Sequence, residues 1–214
     1  MSARGAADGL RAVVEGDAEP VARGLLGHVL CRRFGDGVVV RGRIVETEAY
    51  LGVEDAASHS FGGRRTARNE AMYGRAGTAY VYFTYGMHWC VNVVCASEGD
   101  PQAVLVRALE PVEGAERMEA QRLANPKAAR TLAAAKVAAG PARVCAALGL
   151  DRGWNGVDLL TRKRAGEDAW LERGEGPAEV LVGPRIGIDR AGEPWVSAGL
   201  RFGAAGSASL SRRF

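Results

Sequence analysis

The sequence has no hydrophobic run long enough to cross a membrane. Its longest mainly apolar runs, at 91–96 (which contains Asn92) and 133–139 (which is broken by Lys136), are far shorter than the roughly 20 residues that a bilayer span needs. No apolar stretch of signal-peptide length precedes the acidic residues Asp17 and Glu19. These absences argue against a membrane-spanning class and predict a soluble, cytoplasmic protein.

Cysteine and histidine are scarce and scattered. The four cysteines form no CxxC pair, and the three histidines are far apart in the chain. We therefore expect buried free thiols, no metal site and no cofactor. In the strand predicted at 89–96, Cys90 and Asn92 should share one face and Cys95 should point the other way.

Composition and length indicate an ordinary folded domain. The 214 residues, of which 47% are hydrophobic and 25% charged, can bury a core without a disulfide or a structural metal. There is no repeat, linker or low-complexity tract. We predict one domain over residues 17–214, preceded by a flexible tail at 1–16.

Hydrophobic spacing and turn residues predict a mixed α+β chain. Helices are expected at 17–27, at 112–124 (ended by Asn125-Pro126), at 140–148 and around 167–173. Strands are expected at 28–34, 37–50, 79–85, 89–96, 103–109, 157–161, 179–182 and 185–189. Residues 52–77 show neither period and are predicted to form a long loop of the functional type.

Tyrosine and arginine are concentrated in one region. All five tyrosines lie between positions 50 and 85, and arginines 64, 65, 68 and 75 directly follow the acidic segment 36–63. The net charge of +3 is a weak signal, but aromatic faces beside arginines suit stacked bases and a phosphate backbone. A tyrosine-rich hairpin that packs its own core, next to a solvated loop, is the alternative.

Two carboxylates are predicted to line up on one strand. Strand alternation places Ile44, Glu46, Glu48 and Tyr50 on one face, within an apolar segment that is typical of a buried strand. A buried carboxylate needs a cation nearby, and Arg107 in the apolar strand 103–109 is the candidate. A solvent-facing Glu-x-Glu pair with Arg107 exposed on an edge strand remains the alternative.

An ordered set of motifs then carries a family resemblance. The segment Arg43-Ile44-Val45-Glu46-Thr47-Glu48-Ala49-Tyr50-Leu51-Gly52 closely resembles the core motif of the alkyladenine (3-methyladenine) DNA glycosylases. The match continues through His59-Ser60, Arg68-Asn69, Tyr80-Val81-Tyr82, Tyr85-Gly86-Met87, Cys90-x-Asn92 and Arg107-Ala108-Leu109-Glu110-Pro111. Weaker agreement reaches Gly183-Pro184-Arg185-Ile186-Gly187, so the resemblance covers roughly 17–203.

The resemblance implies one α/β domain with a curved, mainly antiparallel sheet, surrounding helices and a protruding DNA-inserting hairpin. This fold is similar to the C-terminal domain of methionyl-tRNA formyltransferase.

The resemblance also implies a role for each matching residue. Glu48 matches the general base and Arg107 the residue that positions the base and the water. The implied pocket consists of Tyr50, His59, Tyr82 and Asn92, with Tyr85 as the intercalating ring and Arg64, Thr66, Met87 and His88 as further DNA contacts.

The implied activity is base-excision repair. A monomer would flip a damaged purine out of double-stranded DNA, hydrolyse its glycosidic bond with water activated by Glu48, and leave an abasic site. No lysine lies beside Glu48, which disfavours a strand-nicking lyase step. A non-catalytic nucleic-acid-binding module on the same fold, or a metal hydrolase using His59 with Glu48 and Asp55, are the alternatives.

Overall fold

The computed structural model describes residues 3–124, 133–163 and 165–214. Within these ranges the helices are α1 (Ala3–Val14), α2 (Ala18–Gly24), α3 (Ala115–Leu123) and α4 (Pro141–Leu148). The strands are β1 (Val29–Arg33), β2 (Val39–Tyr50), β3 (Ala79–Thr84), β4 (His88–Val94), β5 (Ala103–Glu113), β6 (Asp168–Glu172), β7 (Val180–Gly183) and β8 (Arg201–Ala204).

The strands form one sheet around a long central strand. The order is β3-β4-β5-β2-β1-β6, and every strand pairing within the described ranges is antiparallel. β2 pairs with β5 along one edge, whereas its other edge pairs first with β1 and then, at 46–48, with β8. The predicted α+β class with a mainly antiparallel sheet is confirmed.

The two faces of the sheet have different roles. Alternate residues of the β3–β4 hairpin, such as Val81 and Val93, join the main core with side chains of α2 and α4, including Val21 and Leu148. The opposite face of the hairpin holds a smaller cluster around Tyr80, under the loop that follows β2. All four cysteines are buried free thiols, as predicted.

Two irregularities interrupt the pairing of β2 with β5. The register passes from Ile44↔Leu109 to Glu46↔Ala108 and then to Thr47↔Val106, so it skips Val45 on β2 and Arg107 on β5. Such bulges redirect side chains. Ile44 therefore packs in the main core, whereas Glu46 and Glu48 bind charged groups elsewhere, and the prediction that Ile44 shares their face is wrong.

Several predicted elements differ from the structure. Residues 167–173 are not helical: β6 pairs with β1, and this sheet contact overrides the helix propensity of the segment. Residues 157–161 form a turn because the Asp158 carboxylate accepts from Leu160 N and Thr161 Oγ1. Residues 185–189 are not a strand, because Arg185 binds the Asp55 carboxylate in the loop after β2 and the Ile186 N–H donates to Glu48 on β2.

The N-terminal segment contains a helix. Helix α1 occupies most of the region expected to be a flexible tail, and Leu10 and Val14 are buried in the main core. The predicted helix stop at Asn125-Pro126 lies outside the described residues. No helix in the described part of the chain is both long and apolar enough to span a bilayer.

Gly42 tests how tightly β2 packs against β5. A Cβ at this position would lie 2.8 Å from Leu109 Cβ. We expect Gly42→Ala to lower the free energy of unfolding by about 1–3 kcal/mol, because the core must shift to admit the methyl group. Urea denaturation measures the change.

The matched control is Gly24→Ala at the end of α2. Its new Cβ would meet Val13 Cγ1 at 3.5 Å, an ordinary van der Waals distance, and alanine favours a helix. This variant should lose no stability. Equal losses in the two variants would contradict the packing argument.

Candidate active site

The carboxylate of Glu48 lies at the centre of the site. It is fully buried on β2. Its Oε1 accepts the Ile186 N–H at 2.8 Å and lies 3.2 Å from Arg107 Nη1, while its Oε2 accepts the Tyr50 hydroxyl at 3.0 Å. All three partners line a cavity, so the carboxylate sits directly behind the cavity wall.

The surroundings of Glu48 make it a stronger base than an exposed carboxylate. Burial raises the pKa of the Glu48 carboxyl above its ordinary value, although Arg107, the Ile186 N–H and the Tyr50 hydroxyl all favour the ionised form. Burial also raises the pKa of Tyr50 well above the usual range, and the adjacent Glu48 charge adds to the effect. Tyr50 therefore stays protonated and remains a donor.

Arg107 reaches two carboxylates because it occupies the bulged position of β5. Its Nε lies 3.1 Å from Glu46 Oε1, and its Nη1 lies 3.2 Å from Glu48 Oε1. The guanidinium is almost fully buried. The prediction that Arg107 partners a buried carboxylate is confirmed, and the alternative of an exposed edge-strand arginine is wrong.

Aromatic rings form much of the cavity wall. The cavity volume is about 210 Å³, many times the roughly 10–15 Å³ that one water molecule needs, which suits one flat heterocycle. Tyr80 and Tyr82 stack with ring centroids 5.3 Å apart, and Tyr82 meets the ring of His59 edge-on at 4.6 Å. Tyr50 also lines the cavity. The structure thus brings together the rings that the sequence placed in a pocket.

His59 is a neutral ring at the cavity rim. Its Nδ1 lies 2.7 Å from the Tyr80 hydroxyl. The side chain is accessible to solvent, yet the surrounding protein, together with the charges of Arg68 and Arg64, lowers the pKa of His59 to about 4. The imidazole is therefore uncharged at neutral pH and presents an aromatic face.

Asn92 and Cys90 come from the strand opposite Tyr80 and Tyr82. Asn92 pairs with Tyr80 across the hairpin and donates its Nδ2 to the Tyr80 carbonyl at 3.0 Å. The amide keeps its second Nδ2 hydrogen as a donor and Oδ1 as an acceptor. Both Asn92 and Cys90 line the cavity, whereas Cys95 lies in the main core, as strand alternation predicted.

Tyr85 stands at the tip of the β3–β4 hairpin. Its side chain is 79% exposed and also borders the cavity. Tyr85 and Gly86 have φ values of 52° and 66°, the positive values that a type I′ turn requires at both central residues. Met87 and His88 are exposed next to it. A large ring held at an exposed tip is available for contact with another molecule.

The loop after β2 presents arginines beside the cavity. Arg64 and Arg68 are exposed, and the loop between them is fixed by the buried Asn69, whose Nδ2 donates to the Arg64 carbonyl at 2.8 Å. Thr66 is exposed, and its N–H and hydroxyl both donate to Asn69 Oδ1. In the same loop Tyr73 is buried in the smaller cluster with Tyr80, so the alternative of tyrosines packing a core holds for these two residues.

Asp55 anchors the loop, and both of its carboxylate oxygens accept hydrogen bonds. Arg185 Nη2 lies 2.9 Å from Asp55 Oδ1, and Nη1 bonds to Oδ2 and to the Ala49 carbonyl. The backbone N–H groups of Leu51 and Ala57 complete its bonding. No group of three or more metal-ligating side chains occurs among the residues that the structure describes. The geometry therefore does not support the alternative metal set of His59, Glu48 and Asp55.

Sequence reasoning missed several members of the site. Arg185 binds Asp55, and the Ile186 N–H binds Glu48. The sequence indicated them only through the weakly matching motif Gly183–Gly187. Tyr80 is a wall residue that the motif Tyr80-Val81-Tyr82 contained without a role. Ser211 binds Glu46 from a segment in which the sequence offers no signal.

The chain is similar to known proteins over most of its length. The family model described as methylpurine-DNA glycosylase (MPG) matches residues 12–208. The DNA-3-methyladenine glycosylase of Mus musculus is 47% identical over 201 residues, and that of Homo sapiens is 46% identical over 199 residues. Each alignment covers 91% of this chain, which spans 58% of the mouse protein and 64% of the human protein.

A bacterial relative has a more similar length. The Desulfitobacterium hafniense protein is 45% identical over 186 residues, which cover 84% of this chain and 88% of that protein. The family match includes every cavity residue described above. The chain belongs to the methylpurine-DNA glycosylase family.

Proposed function

We propose that this protein is a monofunctional DNA glycosylase that extrudes an alkylated purine from duplex DNA and hydrolyses its N-glycosidic bond. One observation carries the proposal: a fully buried carboxylate, Glu48, lies behind a ring-walled cavity that an exposed ring, Tyr85, borders. The family match and the names of the mammalian relatives support the same activity.

The aromatic residues offset the cost of base extrusion. Taking a base out of a duplex costs a few kcal/mol, and the cost is lower for damaged pairs. Tyr85 would enter the gap that the base leaves, while Tyr50, His59 and Tyr82 would stack around the extruded base. Each stacking contact is worth about 1–3 kcal/mol. A purine alkylated at N3 or N7 is cationic, so attraction to the ring faces adds to stacking.

Glu48 would act on a water molecule at the cavity wall. Its carboxylate takes a proton from that water as the oxygen attacks C1′ of the deoxyribose and the base leaves with the bonding electrons. Arg107 and the Ile186 N–H hold the carboxylate in place. Because a cationic purine leaves readily, the reaction needs little acid catalysis, and the neutral His59 is consistent with that.

The bonding around Glu48 favours hydrolysis over Schiff-base chemistry. The groups that bind its carboxylate are an arginine, a backbone N–H and a tyrosine. Lys136 is occupied elsewhere, since its Nζ donates to the carbonyls of Ala208 and Leu210. The product would be an abasic site in an unbroken strand.

The surface beside the cavity suits a phosphate backbone. Arg64, Thr66, Met87 and His88 are exposed on the loop and hairpin that border the cavity. We propose that they contact the duplex on either side of the extruded base, with the protein acting as a cytoplasmic monomer. The arginine contribution to such binding weakens as salt concentration rises.

Replacement of Glu48 tests the chemical step. Glu48→Gln keeps the size of the side chain but removes the base, and we expect the single-turnover excision rate to fall by about 10²–10⁴-fold. The assay scores alkali-labile abasic sites in duplexes that carry 3-methyladenine or ethenoadenine. The matched control is Glu116→Gln, at an exposed position on α3. Full activity of the Glu48 variant would show that another group is the base.

The pH dependence of excision tests the ionisation of Glu48. A general base must be deprotonated, so the single-turnover rate should fall as the pH is lowered through the pKa of Glu48. Because burial raises that pKa, the midpoint should lie above the ordinary value of 4.5. A flat profile between pH 4.5 and 8 would contradict this assignment.

Removal of the Tyr85 ring tests insertion into the duplex. Tyr85→Ala should weaken excision from paired DNA by about 5- to 150-fold, the equivalent of one lost stacking contact, and affect single-stranded substrate much less. Tyr85→Phe keeps the ring and should restore most of the loss. Val112→Ala removes a similarly exposed apolar side chain on β5 and serves as the control. Equal effects of Tyr85→Ala on paired and single-stranded DNA would rule out the insertion.

A further inference from the structure

The second buried carboxylate of β2, Glu46, has no place in the chemistry above. It is fully buried and is not a cavity residue. Four donors surround it: Ser211 N at 2.6 Å, Ser211 Oγ at 2.8 Å, Arg107 Nε at 3.1 Å and Arg201 Nη1 at 3.2 Å. A buried carboxylate with this many donors is held in one position.

Arg107 is fixed through three separate nitrogens. Its Nε bonds to Glu46, its Nη1 pairs with Glu48, and its Nη2 donates to Ser211 Oγ at 3.4 Å. A guanidinium is planar, so acceptors on three of its corners define both its position and its plane. Glu46 and Ser211 supply two of those acceptors, and the third is Glu48.

The segment that carries Ser211 is itself held from two sides. Arg201 Nη2 donates to the Arg213 carbonyl at 3.1 Å, and the Phe214 ring lies 3.8 Å from the Arg201 guanidinium. Lys136 Nζ donates to the carbonyls of Ala208 and Leu210 on the other side. Ser211 lies three positions beyond the region that the family model matches, which ends at residue 208.

We propose that Ser211 and Glu46 are positioning residues that fix Arg107 and, through it, the carboxylate of Glu48. The inference rests on the proposed function, because it assigns Glu48 as the base. The order of contacts is Ser211 to Glu46, Glu46 to Arg107, and Arg107 to Glu48. Neither Ser211 nor Glu46 touches the substrate.

Variants of Ser211 test the positioning. Ser211→Ala removes a donor to Glu46 and an acceptor from Arg107, so we expect the single-turnover rate to fall by about two- to tenfold while duplex affinity is unchanged. Ser211→Thr keeps the hydroxyl and should restore the rate. The control is Ser209→Ala, on the same segment and more deeply buried than Ser211, because none of the four donors to Glu46 comes from Ser209.

Glu46→Gln tests the electrostatic effect of Glu46 on Glu48 through the shared Arg107. The groups that face Glu48 are Tyr50 on β2, Arg107 on β5, Tyr82 on β3, Cys90 on β4 and Arg185 after β7, and Glu46 acts on it through the shared Arg107. Removing one negative charge leaves Arg107 to pair with Glu48 alone. We expect the acidic limb of the pH–rate profile to move to lower pH by roughly half to one pH unit, because the ionised form becomes easier to reach.

A structural role alone would give a different pattern. The variants would then lower the melting temperature and the amount of active enzyme. The acidic limb of the pH–rate profile would stay in place, and Ser211→Thr would not restore the single-turnover rate. Either an unmoved limb in Glu46→Gln or a Ser211→Ala rate equal to that of the unmodified protein would overturn the inference.

Failure of the inference is distinguishable from failure of the proposed function. Excision by the unmodified protein establishes the function whatever the variants do. If the unmodified protein excises nothing, titration of ¹³C-labelled glutamate by NMR still reports the Glu48 pKa in the unmodified protein and in Glu46→Gln. An identical pKa in both would reject the positioning on its own.

Discussion

The site depends on one arginine that two buried carboxylates share. Removing a carboxylate from water costs several kcal/mol unless a cation and hydrogen bonds compensate, and β2 buries Glu46 and Glu48 with one residue between them. Arg107 can serve both because it occupies a bulge on β5, the strand that pairs with this part of β2. Arg201 on β8 supplies the second cation for Glu46. The strands on both edges of β2, β5 and β8, thus supply the arginines that balance the charges of Glu46 and Glu48.

This charge balance also sets the chemistry that is available to Glu48. Complete neutralisation by a dedicated arginine would lower the carboxyl pKa and weaken the base, whereas burial without a cation would keep the carboxyl protonated. Sharing Arg107 with Glu46 lies between these limits, and the net effect is a raised pKa. The bonds from Ile186 and Tyr50 fix both oxygens, so the geometry of the base does not depend on Arg107 alone.

Strand periodicity was sufficient to predict much of this arrangement. The burial of Glu48 follows from its apolar strand, its pairing with Arg107 from the cost of an unpaired buried carboxylate, and the common face of Cys90 and Asn92 from strand alternation. The bulges could not be predicted, because a register shift depends on how two strands pair and leaves no pattern in either one. The same holds for β6, whose helix-forming residues became a strand only because the edge of β1 was available.

The β3–β4 hairpin joins the two tasks that the proposed function requires. Tyr82 lies in the wall of the cavity and Tyr85 stands at the tip, three residues or about 10 Å further along the chain. Asn92 ties the second strand to the first through the Tyr80 carbonyl. Because ladder hydrogen bonds fix this distance, the ring that would fill the gap in the duplex and the ring that would receive the base are parts of one element. Insertion and capture would then be a single event, in which a base leaves the stack as its place is taken.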